Sequence, residues 1–171
     1  MCGIVGMVGN LTKADYLLMR HLLFFDTTRG PHSTGVFVVD ASDNVHVEKA
    51  VGSPGNLYEY EQSTFWDWKG RVRNSAPLPK VIIGHNRFAT QGVVNEANAH
   101  PFTHGDWTGV HNGSLDHYKG ICEGTYDVDS ECVIAGFNDN GFQKTWEAFT
   151  GAAAIVAWNA GKNELNVARN D

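Results

Sequence analysis

Cys2-Gly3-Ile4-Val5-Gly6-Met7-Val8 is an apolar, glycine-spaced run that begins at the second residue. Such a run suits a buried strand, and a buried strand this close to the start holds the chain terminus rigidly inside the fold. No basic stretch precedes it, so it does not read as a signal peptide. No apolar run approaches the roughly 20 residues that a membrane helix needs. The 171 residues, 42% hydrophobic and 19% charged, can bury one real core. Acidic residues outnumber basic ones by 19 to 13, a net charge of -6. That excludes the basic surface a nucleic-acid or anionic-membrane binder needs. Cysteines 2, 122 and 132 set no disulfide framework, and no Cys-x-x-Cys indicates zinc. The expectation is a reduced, cytoplasmic protein.

Hydrophobic spacing orders the rest. Thr12 with Asp15 is a capping-box-like helix start, and Ala14, Leu17, Leu18, His21, Leu22 and Phe25 follow at helical spacing up to Gly30. Val36–Val39, the turn Ala41–Asn44 and Val45–Val47 read as a hairpin. Residues 52–80 are irregular, with an aromatic cluster at Phe65, Trp66 and Trp68, and read as a surface excursion with one short helix. A strand returns at Val81–Ile83, a polar loop covers 91–106, and Trp107–His111 is a short strand. Helices are expected from Asp129 to about Phe137 and from Phe142 to Phe149, and a closing hairpin joins Ala152–Trp158 to Leu165–Ala168. This order favours a mostly antiparallel α+β layered fold over a doubly wound parallel one.

Cys2 carries the chemistry. Methionine before a small residue is normally removed in the cell, which would leave a thiol and a free α-amine on one residue. An α-amine titrates near working pH, so it can take the thiol proton without a histidine. A buried cysteine opening a strand is the plain alternative. Arg87 stands just past an apolar strand, where a guanidinium can clamp a carboxylate or form a surface ion pair. Asn112-Gly113 is either a turn or a pair of neutral donors for an oxyanion. Asp129 is either a helix cap or a partner for a substrate ammonium. Among eight histidines, His100 and His104 are four apart, but Pro101 and Gly105 keep them off a helix, so no metal is expected. Neither the dinucleotide fingerprint nor a Gly-x-Ser-x-Gly motif is present.

In company these pieces are specific. Met1-Cys2-Gly3-Ile4-Val5-Gly6 resembles the start of class II, N-terminal-nucleophile glutamine amidotransferases. Arg29-Gly30-Pro31-His32-Ser33-Thr34-Gly35 is similar to their Arg-Gly-x-x-Ser-x-Gly motif, and Gly84–Gly92 to their Gly-His-Thr-Arg-Trp-Ala-Thr-His-Gly motif. Asn98–Pro101, Val110–Gly113, Val128–Glu131 and Val167–Arg169 follow in family order. The likeness is nearest to the glucosamine-phosphate synthase and amidophosphoribosyltransferase type.

The resemblance implies one glutaminase domain over 1–171 with a four-layer αββα sandwich. It also implies hydrolysis of glutamine to glutamate and ammonia through a Cys2 thioester, with no cofactor. By position, Cys2 is the nucleophile, and Asn112 and Gly113 hold the oxyanion. Arg87 binds the α-carboxylate of L-glutamine, Asp129 its ammonium, and Thr90 lines the pocket. Arg29 and Gly3 support the nucleophile end. Gln91, Phe88, Asn86 and His32 depart from the family's His, Trp, Thr and Asp. Family domains continue beyond the equivalent of Asp171, so a minimal version, a fragment or a domain borrowing strands from a partner is expected. The partner would be a separate synthase subunit or a second copy. Hydrolysis of another amide and a non-catalytic binding module are the competing readings. Retained Met1 would leave the Cys2 nitrogen an amide, unable to act as base.

Overall fold

The computed structural model describes residues 1–59, 78–116, 118 and 120–170. The opening apolar run forms β1 (Gly3–Val8), followed by α1 (Lys13–Phe25), a 3-10 turn over Asp26–Arg29, β2 (Ser33–Val39) and β3 (Val45–Val51). The short helix α2 (Pro54–Glu59) and β4 (Val81–Arg87) complete the first half. The second half holds β5 (Phe102–His104), β6 (Trp107–Leu115), α3 (Asp129–Asn140), α4 (Phe142–Ala148), β7 (Gly151–Asn159) and β8 (Glu164–Arg169). The expected aromatic cluster at 65–68 lies outside the described residues.

Among the described residues two four-stranded sheets result, ordered β1-β4-β2-β3 and β5-β6-β7-β8, and every pairing is antiparallel. Alternation along each strand explains why they stack. On β2, Phe37 and Val39 join Val81, Ile83, Val110 and Trp158 in a core between the sheets. Val36 and Val38 point the other way, onto Tyr16, Met19 and Leu23 of α1 and Leu57 of α2. On β7, Ala153, Ile155 and Ala157 pack against Val133, Ile134 and Phe137 of α3. Period-two patterning with apolar residues on both faces is what a strand covered on both sides requires. The layers are therefore helices, sheet, sheet, helices, the expected α+β sandwich.

Some expected elements differ in the structure. Thr12 and Asp15 do form the capping box, with the Thr12 N–H donating to Asp15 at 2.7 Å and the Asp15 N–H to the Thr12 hydroxyl at 3.3 Å. The buried stripe of α1, however, is Tyr16, Met19 and Leu23, while Leu18 is 49% and Phe25 72% exposed. Met19 and Leu23 fill the space over Gly84, whose missing side chain sets the rotation of the helix. Within the expected loop 91–106, Phe102–His104 pairs with β6 as a short edge strand. Most notably, Cys122 and Cys132 are joined in a disulfide with Cα atoms 5.6 Å apart. A segment leaving the hydrophobic cluster and returning on α3 brings together two thiols that spacing alone leaves unpaired. Cys2 is the free cysteine.

Three histidines are enclosed near the middle of the molecule. His85 on β4 donates from Nε2 to the His111 carbonyl at 3.1 Å, and its ring lies 3.8 Å from that of His100. His100 precedes a cis proline, and its carbonyl occupies the space a side chain at Gly35 would fill. The His111 Nδ1 and the Ser130 hydroxyl share a bond of 2.8 Å. Neither His85 Nδ1 nor either ring nitrogen of His100 has a hydrogen-bond partner among the described residues. Among the described residues, no three His, Cys, Asp or Glu side chains are grouped to hold a metal. No helix among them is long and apolar enough to cross a membrane.

Two stability effects follow from these contacts. Burial, with His111 and Arg87 nearby, pulls His85 down to about 3. Burial also holds His100 well below its ordinary value, reinforced by His85, His111, Arg87 and Lys49. Burial lowers His111 as well, against the opposing pull of Asp129 and of a bond to the Ala152 backbone. The unfolded chain takes up these protons below about pH 6.5 while the folded chain does not. Stability is therefore complete above pH 6.5 and falls as the pH drops toward 3. His85 and His100 should each remove roughly 1 kcal/mol between pH 8 and 5.5, read as a lower urea midpoint at pH 5.5; equal midpoints would contradict it. Separately, a disulfide spanning 10 residues stabilises by about 2–3 kcal/mol through loop entropy. A dithiol reductant should lower the pH 8 unfolding free energy by that amount in the native chain and leave a Cys122→Ser, Cys132→Ser double variant unmoved.

Candidate active site

Pairing of β1 with β4 places Gly3 opposite Asn86, so Cys2 lies beside the end of β4. The Phe88 N–H donates to the Cys2 sulfur at 3.2 Å. Arg29, at the end of the 3-10 turn, donates from Nε to the Cys2 carbonyl at 3.1 Å. Gly3 is required by contact: a Cβ there would stand 1.8 Å from an Asp26 carboxylate oxygen. Asp26 is fixed in turn by Asn86, whose amide donates to Asp26 at 3.1 Å and to the Leu23 carbonyl at 2.8 Å. Burial raises the Asp26 carboxyl, against the pull of Asn86 and Arg29. The chain start is thus gripped by β4, by the 3-10 turn and by a buried amide.

Burial pushes the Cys2 thiol up; the Phe88 N–H, the chain's amino terminus and Arg87 draw it down, and Asp129 adds to the rise. The group is consequently a thiol near neutral pH and needs a base before it can act as a nucleophile.

The opposite wall comes from the second sheet. Asn112, Gly113 and Ser114 on β6 lie across from Ala154, Ala153 and Ala152 on β7. A side chain at Gly113 would strike the Ala152 carbonyl at 1.9 Å, so the strands close up only with glycine there. Asn170 fastens the start of β7 by accepting the Ala153 N–H at 2.7 Å and donating to the Gly151 carbonyl at 2.9 Å. Between the walls is a cavity of about 680 Å³ lined by Cys2, Arg29, Thr90, Asn112, Gly113 and Arg169, among others. Among the described residues no acidic side chain lines it, although the whole chain carries -6.

Arg87 and Asp129 are not among the lining residues, although both act electrostatically on Cys2. Arg87, 3% exposed, donates to the carbonyls of Val93 at 3.1 Å and of Gln91. Burial lowers its pKa, while Cys2 and Asp129 raise it. Asp129, 7% exposed, accepts the Leu115 N–H at 3.1 Å and the Ser130 N–H at 2.8 Å, tying the first turn of α3 to the end of β6. The N-cap position itself belongs to Val128 and has no side-chain cap. The helix-cap alternative for Asp129 is thereby corrected: the carboxylate is one residue inside the helix and bridges it to the sheet.

The structure brings Cys2, Thr90, Asn112, Gly113 and Arg29 to one cavity, whereas Arg87 and Asp129 are buried and are not among its lining residues. Sequence reasoning missed the Phe88 N–H and the Asn170 clamp. A main-chain donor leaves no mark in a sequence, and Asn170 follows the Val167–Arg169 motif without a pattern of its own. His32 appeared there only as a departure.

A family model for class-II glutamine amidotransferases matches residues 71–139. A glutamine--fructose-6-phosphate aminotransferase (isomerizing) of Staphylococcus aureus is 34% identical over 169 residues, covering 91% of this chain and 26% of that protein. The enzyme of the same name from Streptococcus pneumoniae is 37% identical over 129 residues, covering 72% of this chain and 18% of that protein. The chain therefore spans about a quarter or less of the length of these relatives. Among solved structures, the glutamine phosphoribosylpyrophosphate amidotransferase of B. subtilis, complexed with ADP and GMP, superposes with a TM-score of 0.69 at 17% identity. That match covers 98% of this chain and 37% of the other, and it carries the sandwich fold. The chain belongs to the class-II glutamine amidotransferases.

Proposed function

We propose that the chain, as a single glutaminase domain, hydrolyses the side-chain amide of L-glutamine to glutamate and ammonia, with Cys2 as nucleophile. The observation that carries this reading is the meeting of Cys2, Thr90, Asn112 and Gly113 in one cavity between the two sheets. Because burial keeps the sulfur protonated, the reaction needs a base within reach. Removal of Met1 supplies one, the α-amine of Cys2 itself.

In this mechanism the amine takes the thiol proton and the sulfur attacks the amide carbon. The oxygen gains negative charge and is held by the Asn112 side chain and the Gly113 N–H, two neutral donors that need no reorganisation. The ammonium returns its proton to the departing nitrogen, so ammonia leaves and a thioester remains. Water, deprotonated by the same amine, then releases glutamate and restores the thiol. Arg87 takes the α-carboxylate of glutamine and Asp129 its ammonium, one opposite charge for each end of the zwitterion. Arg29 and Gly3 hold the nucleophile end in place.

The names of the relatives pair glutamine with fructose 6-phosphate or phosphoribosylpyrophosphate as acceptor. For this chain the ammonia would pass to an acceptor reaction outside the glutaminase cavity. In a cytoplasmic setting the Cys122–Cys132 bond would meet reducing thiols.

The processed protein should release ammonia from glutamine, and Cys2→Ala should lower kcat by about a thousandfold or more. Intact mass should show Met1 removed and a single adduct at Cys2 after treatment with a glutamine-mimicking electrophile. Full activity in Cys2→Ala, or in protein that keeps Met1, defeats the mechanism. Equal rates with unrelated amides would favour a broader amide hydrolase.

A further inference from the structure

We infer that His32 is a positioning residue for the proposed glutaminase reaction, holding the turn after β4 that serves both the nucleophile and the glutamine pocket. The inference rests on the reading of Cys2 and Thr90 given above. His32 lies between the 3-10 turn and β2 and touches the turn after β4 at three points. Its N–H donates to the Arg87 carbonyl at 3.1 Å. Its Nδ1 accepts the Ala89 N–H at 2.9 Å. Its ring lies 4.9 Å from the Phe88 ring, tilted by 43°. The His32 carbonyl accepts the Gly52 N–H at 2.9 Å, so the residue is itself anchored to the end of β3.

The place of these contacts gives them consequence. The Phe88 N–H serves the Cys2 sulfur, Thr90 lines the cavity, and Ala89 is the residue between them. Its N–H is the main-chain group that His32 holds. Downstream, Arg87 grips the carbonyls of Gln91 and Val93. Two side chains, one just ahead of β2 and one at the end of β4, therefore set the path of 88–93. Removing the His32 acceptor would leave the Ala89 N–H without its bond and free the turn to swing. Phe88, 42% exposed, has no deep packing to hold it instead. Because a backbone N–H donates to Nδ1, that nitrogen must carry a lone pair, which fixes the ring proton on Nε2.

Two substitutions divide the contact. His32→Asn keeps an acceptor near the Nδ1 position and loses the ring. His32→Phe keeps a ring and loses the acceptor. With glutamine as substrate, His32→Phe should raise KM about 10-fold, the consequence of one unmade, half-buried bond in the pocket wall. Its kcat should fall as well, because the same turn brings the Phe88 N–H to the Cys2 sulfur, and His32→Asn should restore KM and kcat to within about threefold of the native values. Alkylation of Cys2 by iodoacetamide, which needs no glutamine pocket, should slow in His32→Phe and recover in His32→Asn. In the native protein, nitrogen chemical shifts of the His32 ring should report the Nε2–H tautomer, a measurement that stands even if a variant does not fold. An Nδ1–H tautomer, or His32→Phe matching native KM and alkylation rate, overturns the inference. Native protein that shows the tautomer and the alkylation pattern yet releases no ammonia supports His32 as organiser of the turn and instead ends the glutaminase reading.

Discussion

The antiparallel pairing of β1 with β4 is the constraint on which the site depends. It seats the second residue of the chain between two stacked sheets, where a terminus would otherwise fray. The pairing tolerates no side chain at Gly3, because Asp26 occupies that space, and Asp26 is held there by Asn86, the residue opposite Gly3. One short sequence, Cys2-Gly3, thus serves a mechanical and a chemical purpose together. The carbonyl of Cys2 is taken by Arg29 and its sulfur by the Phe88 N–H, leaving the amino side of the residue as the end that processing can expose.

Much of this was legible in the sequence, and the reasons are local. The capping box, the hairpins and the glycine-spaced first strand follow from turn chemistry and period-two patterning, which act over a few residues. What could not be read is set by contacts between distant segments. The face of α1 is turned toward Tyr16, Met19 and Leu23 by the hollow over Gly84, some sixty residues later. The Cys122–Cys132 bond depends on where α3 docks. The edge strand β5 exists because β6 offers it a partner, although its own sequence is that of a loop. At the site, Cys2, Asn112 and Gly113 could be named from motif order, but the shared cavity required both sheets.

Glycine positions show how the chain trades side chains for proximity. Gly35 makes room for the His100 carbonyl and Gly113 for that of Ala152. Each lets a polar backbone group lie where a Cβ would stand, and each borders either the enclosed histidines or the cavity. The histidines are neutral by enclosure, so their rings pack between the layers as polar but uncharged filling. Such filling is stable only while water and protons are kept out.

Arg87 links the order of the pocket to its charge. A guanidinium has five N–H donors in one plane, and bonds to the Gln91 and Val93 carbonyls fix the orientation of that plane. A carboxylate arriving at the remaining edge would meet a cation already immobilised, with little side-chain entropy left to lose. The same bonds hold the segment that contains Thr90. On the proposed reading, charge recognition and wall geometry would be set by one side chain: a loop displaced from Arg87 would leave the cation unaimed, and an arginine displaced from the loop would leave Thr90 unplaced. The chain carries a net charge of -6, yet no acidic side chain among the described residues lines the cavity, and the acid that Arg87 does feel, Asp129, is buried with it.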